Sequence, residues 1–207
     1  MTCANAFFRI DDPRVDEIAG HKLLPAWWSR AYEYPWGLQF ARPGDIVMDA
    51  GCGHNFRPFK DALAQIVDQV YAVDADREVL QQTPAPKMSL VWADFTQRIP
   101  LIGYEELDRV FCISVLEDLE KGDLIEPALR EFARVLKPDG KMILTFDVPY
   151  DTGKECKFYP GLDLEGFIQT AAAAGLHFEG EIDRDKTNAV FHSDFNLAVW
   201  HCVLVKV

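Results

Sequence analysis

The sequence has no Cys-x-x-Cys pair. Its five cysteines, Cys3, Cys52, Cys112, Cys156 and Cys202, are odd in number and scattered. That pattern signals neither a zinc site nor a disulfide framework. Three of them stand in apolar runs and read as small core residues, so a reducing, cytoplasmic setting is expected. No apolar stretch approaches the roughly 20 residues needed to cross a bilayer. The opening MTCANAFFRIDDPR has no basic region followed by an apolar run and does not read as a signal peptide. No membrane association is expected. Repeats and low-complexity tracts are missing. Positive charge is scarce: 21 Lys and Arg stand against 33 Asp and Glu, a formal net charge of -12. Such a chain repels a phosphate backbone and argues against a nucleic-acid partner, while suiting a cationic ligand.

What is present is an ordinary globular composition. With 207 residues, 49% of them hydrophobic, the chain suits one domain with one sizeable core rather than disorder. Residues 1–42 carry aromatics and prolines (LLPAWWSRAYEYPWGLQF at 23–40) without a strand period and read as an N-terminal helical lid. Residues 43–207 read as the core. Apolar runs at Ile46–Asp49, Val70–Asp74, Ser89–Trp92, Asp108–Ser114 and Met142–Phe146 predict strands. Helical spacing is seen over Asn55–Val67, with Phe59, Leu63 and Ile66 on one face. It recurs over Leu124–Leu136, capped by Asp123 with Glu126 three residues on, and over Leu164–Ala174, capped by Asp163 and stopped by Gly175. Lys137-Pro138-Asp139-Gly140 reads as the turn that ends the second helix. Phe178–Ile182 and Ala198–Val205, with no helix between them, predict an antiparallel hairpin at the sheet edge. The fold class is therefore α/β: a doubly wound, mostly parallel seven-stranded sheet with a C-terminal hairpin.

In such sheets ligands bind beyond the carboxyl ends of the strands. The first strand leads into Asp49-Ala50-Gly51-Cys52-Gly53-His54-Asn55. Glycines there let the chain turn sharply and let a ligand lie against it. A nicotinamide site would need G-x-G-x-x-G, but Phe56 occupies the third glycine position. A carboxylate at Asp49 instead suits an ammonium group. The second strand ends at Asp74, where a carboxylate can accept from both ribose hydroxyls, with Asp76 as competitor. The third ends at Asp94-Phe95, able to meet an adenine amino group and ring, or simply to cap a helix.

VMDAGCG, VYAVDAD, WADF, FCISVLEDL and FARVLKPDGKMILTF, in this order, resemble the class I (Rossmann-like, seven-stranded) S-adenosylmethionine-dependent methyltransferase family across roughly residues 43–207. The resemblance implies S-adenosylmethionine as cofactor. Asp49, Gly51 and Gly53 would hold its methionine end, Asp74 its ribose, and Asp94 and Phe95 its adenine. Ser114 would lie near the transferred methyl. Cys52 and Ala75 adjoin these positions and join the candidate set. Relatives often have glycine or serine at the position of Asn55, and often a histidine in the segment matching SVLEDL. Here that segment carries Asp118, which removes an obvious general base.

Methyl transfer to a small-molecule O or N acceptor is the function so implied. A non-catalytic nucleoside-binding protein of the same fold and a nicotinamide-dependent oxidoreductase are the alternatives, and no metal site is signalled. Asp147-Val148-Pro149-Tyr150 resembles the D-P-P-Y motif of enzymes that methylate nucleic-acid bases. It follows the fifth strand rather than the fourth, and so reads as a loop leaving a strand. In the lid, Arg30 is a candidate partner for the methionine carboxylate and Tyr34 a nearby hydrogen bonder. Trp27, Trp28 and Trp36 either line an apolar acceptor pocket or anchor the lid. Two loops, Asp147–Leu162 and Asp183–Asn196, should border the acceptor. The second makes His192 and Asp194 candidate catalytic residues, and His54 is a further candidate for cofactor contact. His21, His177 and His201 read as structural or surface groups.

Overall fold

The apolar runs do form strands, because only a sheet covered on both faces buries side chains of both parities at once. The computed structural model describes residues 5–54, 56–119, 122–151 and 161–206. Three short strands, β1 (Ala6–Phe7), β2 (Glu17–Ile18) and β3 (His21–Lys22), precede helix α1 (Arg30–Leu38). Then come β4 (Ile46–Ala50), α2 (Pro58–Ile66), β5 (Gln69–Asp74), β6 (Met88–Trp92) and β7 (Leu107–Ile113). The chain continues through α3 (Ile125–Val135), β8 (Leu136–Pro149), α4 (Leu164–Ala173), β9 (Leu176–Phe178), β10 (Phe191–His192) and β11 (Leu197–Lys206).

Strands β6, β5, β4, β7 and β8 lie side by side and parallel. β11 runs antiparallel against β8. Its outer edge is covered in turn by β9, β1 and β10, each antiparallel to it. The expected mostly parallel sheet with a C-terminal antiparallel pair is thus present, widened at that edge by two-residue strands that show no sequence period. Strand order reverses between β4 and β7, which opens a crevice at their carboxyl ends. One face of the sheet packs on α3 and α4 through Leu129, Phe132 and Phe167. The other packs on α1 and α2 through Trp36, Phe59 and Leu63.

Several local expectations need correcting. The lid is helical only at α1; its earlier part makes short strands, and β1 joins the main sheet. Asp123 does not cap α3. A 3-10 turn over Gly122–Leu124 precedes the helix, and Leu124 stands at the cap. Glu126 instead receives Arg130, one turn on. Lys137–Gly140 does not separate helix from strand. Leu136 already pairs with Leu107, and Lys141 pairs with Arg109, so the intervening residues bulge out of β8. The sixth expected strand is shorter and earlier, at Leu176–Phe178. Asp163 and Gly175 do bracket α4, the glycine at φ +77°. Asn55, Cys3, Cys156 and most of the loop after β8 lie outside the described residues.

Candidate active site

β4 delivers Asp49 to the crevice and then turns through Gly51 (φ +72°) and Gly53 (φ +63°). A Cβ on Gly51 would stand 2.4 Å from Val115 Cγ1, so the loop needs glycine for both conformation and room. Gly51 N–H donates to Val73 O (2.8 Å), and Gly53 N–H donates to Asp74 Oδ2 (2.7 Å). The glycine loop and the tip of β5 therefore form one hydrogen-bonded unit. Lys60 on α2, fully buried, donates to Cys52 O (3.1 Å) and Gly53 O (2.5 Å) and braces the loop from beneath.

Asp49, Gly51, Cys52, Gly53 and Asp74 line a cavity of about 380 Å³ with Arg30, Tyr34, Phe56, Phe59, Ala75, Asp94, Phe95, Ile113, Ser114, Val115, Asp118 and Leu119. All eleven candidate cofactor residues fall on its walls: Arg30, Tyr34, Asp49, Gly51, Cys52, Gly53, Asp74, Ala75, Asp94, Phe95 and Ser114. Asp49 is buried there. Burial pushes its carboxyl up to about 7, aided by Asp74 and opposed by Lys60. Asp74 also accepts Asp76 N–H (2.8 Å). Each of its oxygens keeps lone-pair capacity for a further donor. Asp94 Oδ1 accepts from the amide and hydroxyl of Thr96, so it does cap its own turn. The Cys52 thiol is buried, which pushes its pKa up, away from thiolate.

A polar knot ties α1 to the sheet at one end of the cavity. Glu33, wholly inaccessible, accepts from Arg30 Nη1 (2.6 Å), Ser114 Oγ (2.5 Å) and Thr145 Oγ1 (2.5 Å). Burial opposes its charge, but Arg30 and the two hydroxyls outweigh it and hold the carboxyl below its ordinary range. Ser114 sits at φ +47°, and its amide meets both the carbonyl (2.9 Å) and the hydroxyl (3.0 Å) of Thr145. Tyr34 stacks on Phe59 with ring centroids 5.1 Å apart. Burial drives its hydroxyl further from ionisation.

The three tryptophans divide. Trp36 is an anchor, packed among Phe8, Phe40 and His201. Trp27 lies against Phe56 at the cavity wall (4.7 Å). Trp28 meets His192 edge-on (5.5 Å), and His192 stacks on Phe195 (4.4 Å). Asp194 is exposed beside Ser193 and is not on the cavity wall. His54 pairs with Asp76 (2.9 Å) and Glu78 (3.4 Å). These three residues are the one group among the described residues close enough to share a metal ion. His201 is a core ring, and His21 pairs with Asp61. Sequence reasoning missed Glu33, Lys60, Thr145 and Glu117. Only Glu33 had a local signal, its i,i+3 spacing from Arg30.

Residues 48–144 match the methyltransferase domain family. No curated protein matches the chain in sequence. Among solved structures, the [4+2]-cyclase SpnF is 16% identical, with 99% of this chain and 87% of that one covered at a TM-score of 0.68. A TehB-like SAM-dependent methyltransferase from Corynebacterium glutamicum is 20% identical over 88% and 95%, TM-score 0.63. A SAM-dependent methyltransferase from Aquifex aeolicus is 17% identical over 90% and 100%, TM-score 0.60. Residues 48–144 thus match a methyltransferase domain, on a fold shared with solved SAM-dependent methyltransferases. The domain match and the fold together support a SAM-dependent methyltransferase with S-adenosylmethionine as its cofactor. Among the described residues no helix is long and apolar enough to cross a membrane.

Proposed function

We propose that the enzyme moves the methyl group of S-adenosylmethionine to an O or N atom of a small molecule, acting as a single domain. When bound, the cofactor supplies a methyl already activated by a positive sulfur, so the protein's task is chiefly alignment. The observation that carries the reading is the convergence of eleven chemically suited residues on one cavity at the strand-order reversal.

The wall chemistry fits the cofactor piece by piece. Asp49, buried with only the Lys60 charge in its favour, suits the ammonium of the methionine end. Arg30, at the cavity wall, suits the carboxylate. Asp74, with lone-pair capacity left on each oxygen, suits the ribose hydroxyls. Asp94 Oδ2 and the Phe95 ring suit the adenine edge and face. Ser114 and Tyr34 stand at the other end, where the methyl would be presented.

Calorimetry with S-adenosylmethionine, S-adenosylhomocysteine and NAD(H) tests this. We expect micromolar binding of both sulfur nucleosides, weakened at least tenfold by Asp74→Ala, and none of NAD(H). Preference for NAD(H) would overturn the reading. Binding of the sulfur nucleosides with no methyl transfer to any small molecule would favour a nucleoside-binding protein without turnover.

A further inference from the structure

Buried polar atoms almost always find a hydrogen-bond partner, and those that do not call for an explanation. Among the described residues five buried side-chain atoms have none. Two belong to guanidiniums that are already ion-paired, Arg109 with Asp45 and Arg134 with Glu131. The other three are Glu117 Oε2, Asp147 Oδ1 and His192 Nδ1.

These three come from separate parts of the chain and gather at one end of the sheet. Asp147 lies two residues beyond Thr145 on β8, so it projects from the same face, the one that Glu33 of α1 touches. Val199 of β11 stands opposite Asp147. Leu197, two residues before Val199, stands opposite His192. His192 therefore shares that face, and Trp28 just before α1 packs against it. Glu117 follows β7, three residues past Ser114 and next to Asp118 on the cavity wall. Glu117 and Asp147 are close enough that the charge of Asp147 opposes ionisation of Glu117.

The charges facing this spot are lopsided. Glu33 and Arg30 come from α1, Glu117 and Asp118 from the segment after β7, and Asp147 from β8. Among these described residues Arg30 is the one cation against four carboxyls, and Glu33 already holds it. Burial and the surrounding acids push Asp147 up to about 7 and Glu117 well above its ordinary range. The protein has thus gathered unpartnered carboxyl oxygens beside Asp118 of the cavity wall, on the side of the sheet that also carries His192 and the Trp28 ring packed on it. An incoming cation with N–H donors would satisfy these atoms.

We propose that the acceptor atom is an amine nitrogen, received by Glu117, Asp147 and His192 with Trp28 alongside. This rests on the methyl-transfer reading and narrows its acceptor to nitrogen. The amine arrives as R–NH3+ and loses one proton to the ionised carboxylate of the Glu117–Asp147 pair, which becomes a neutral carboxyl. The freed lone pair forms the N–CH3 bond as the C–S electron pair returns to sulfur. The product leaves as R–NH2CH3+, and the carboxyl returns its proton to solvent. A carboxyl poised near neutrality is suited to that transfer.

The test uses the full chain saturated with S-adenosylhomocysteine. Calorimetry compares amines with their hydroxyl isosteres: phenethylamine against 2-phenylethanol, and putrescine against 1,4-butanediol. In parallel, labelled methyl from S-adenosylmethionine is traced in a small-molecule extract split by cation exchange. We expect at least a tenfold preference for an amine over its isostere, and label in the cation-retained fraction. Glu117→Gln and Asp147→Asn, which keep shape and remove buried charge, should each erase that preference while leaving S-adenosylhomocysteine affinity within twofold. Equal binding of amines and alcohols, or label only in neutral and anionic products, would overturn the proposal. Failure to bind S-adenosylhomocysteine would overturn the broader reading instead.

Discussion

Asp49 carries a pH signature that its neighbours dictate. Its ordinary value is 3.8, and burial raises it to about 7 in the cavity. The folded protein therefore holds a proton there that the unfolded chain would release. The stability this group contributes is fully present at low pH and is lost as pH rises through about 7. An ammonium beside it reverses the balance and expels the proton. At pH 7, cofactor binding should release about half a proton, and affinity should climb between pH 6 and 7. Calorimetry in buffers of different ionisation enthalpy measures this directly, and Asp49→Asn should abolish it. A release unchanged in that variant would assign the proton elsewhere. Residues such as Asp49, Asp74 and Asp94 were legible in the sequence because each stands where an apolar strand run stops. Glu33 was not. Two of its partners, Ser114 and Thr145, lie 81 and 112 positions away, and no periodicity encodes such contacts. Asp147 was seen but misjudged: it lies in β8, beside Glu117, and not in a loop leaving the strand.

Among the elements, the β4–α2 loop is the least tolerant of change. Gly51→Ala would place an L-residue at φ +72° and drive its Cβ into Val115. The backbone alone should cost about 1–2 kcal/mol, with the clash adding to it. Urea unfolding of Gly51→Ala, alone and with Val115→Ala, separates the two effects. The second change relieves only the clash, so the pair should recover part of the loss. A single variant as stable as the parent would contradict this geometry. The long strands and helices were readable because their buried faces repeat. The ends were not: Asp123 looked like a cap, yet α3 starts beyond a 3-10 turn. Likewise Lys137–Gly140 looked like a turn, yet hydrogen bonding to β7 carries β8 through it as a bulge. Local residue chemistry was overruled there by pairing with a distant strand.

Across the whole molecule, the first residues and the last strand depend on each other. Phe8 is buried against Tyr32, Trp36 and His201, which links the β1 segment, α1 and β11. Phe8→Ala should cost about 3–5 kcal/mol, read as a lower urea midpoint. A loss below about 1 kcal/mol would show that the segment contributes little. This link escaped the sequence because a two-residue strand has no pattern to read. β11 itself touches β8 on one side and β9, β1 and β10 on the other. It is the keystone of an arch, the strand that joins β8 to the three short strands at the edge. Until it is seated, β8 presents a bare apolar edge, and any second copy nearby can dock there in its place. Crowded refolding should therefore yield aggregates built through β8, and dilution should restore the folded protein.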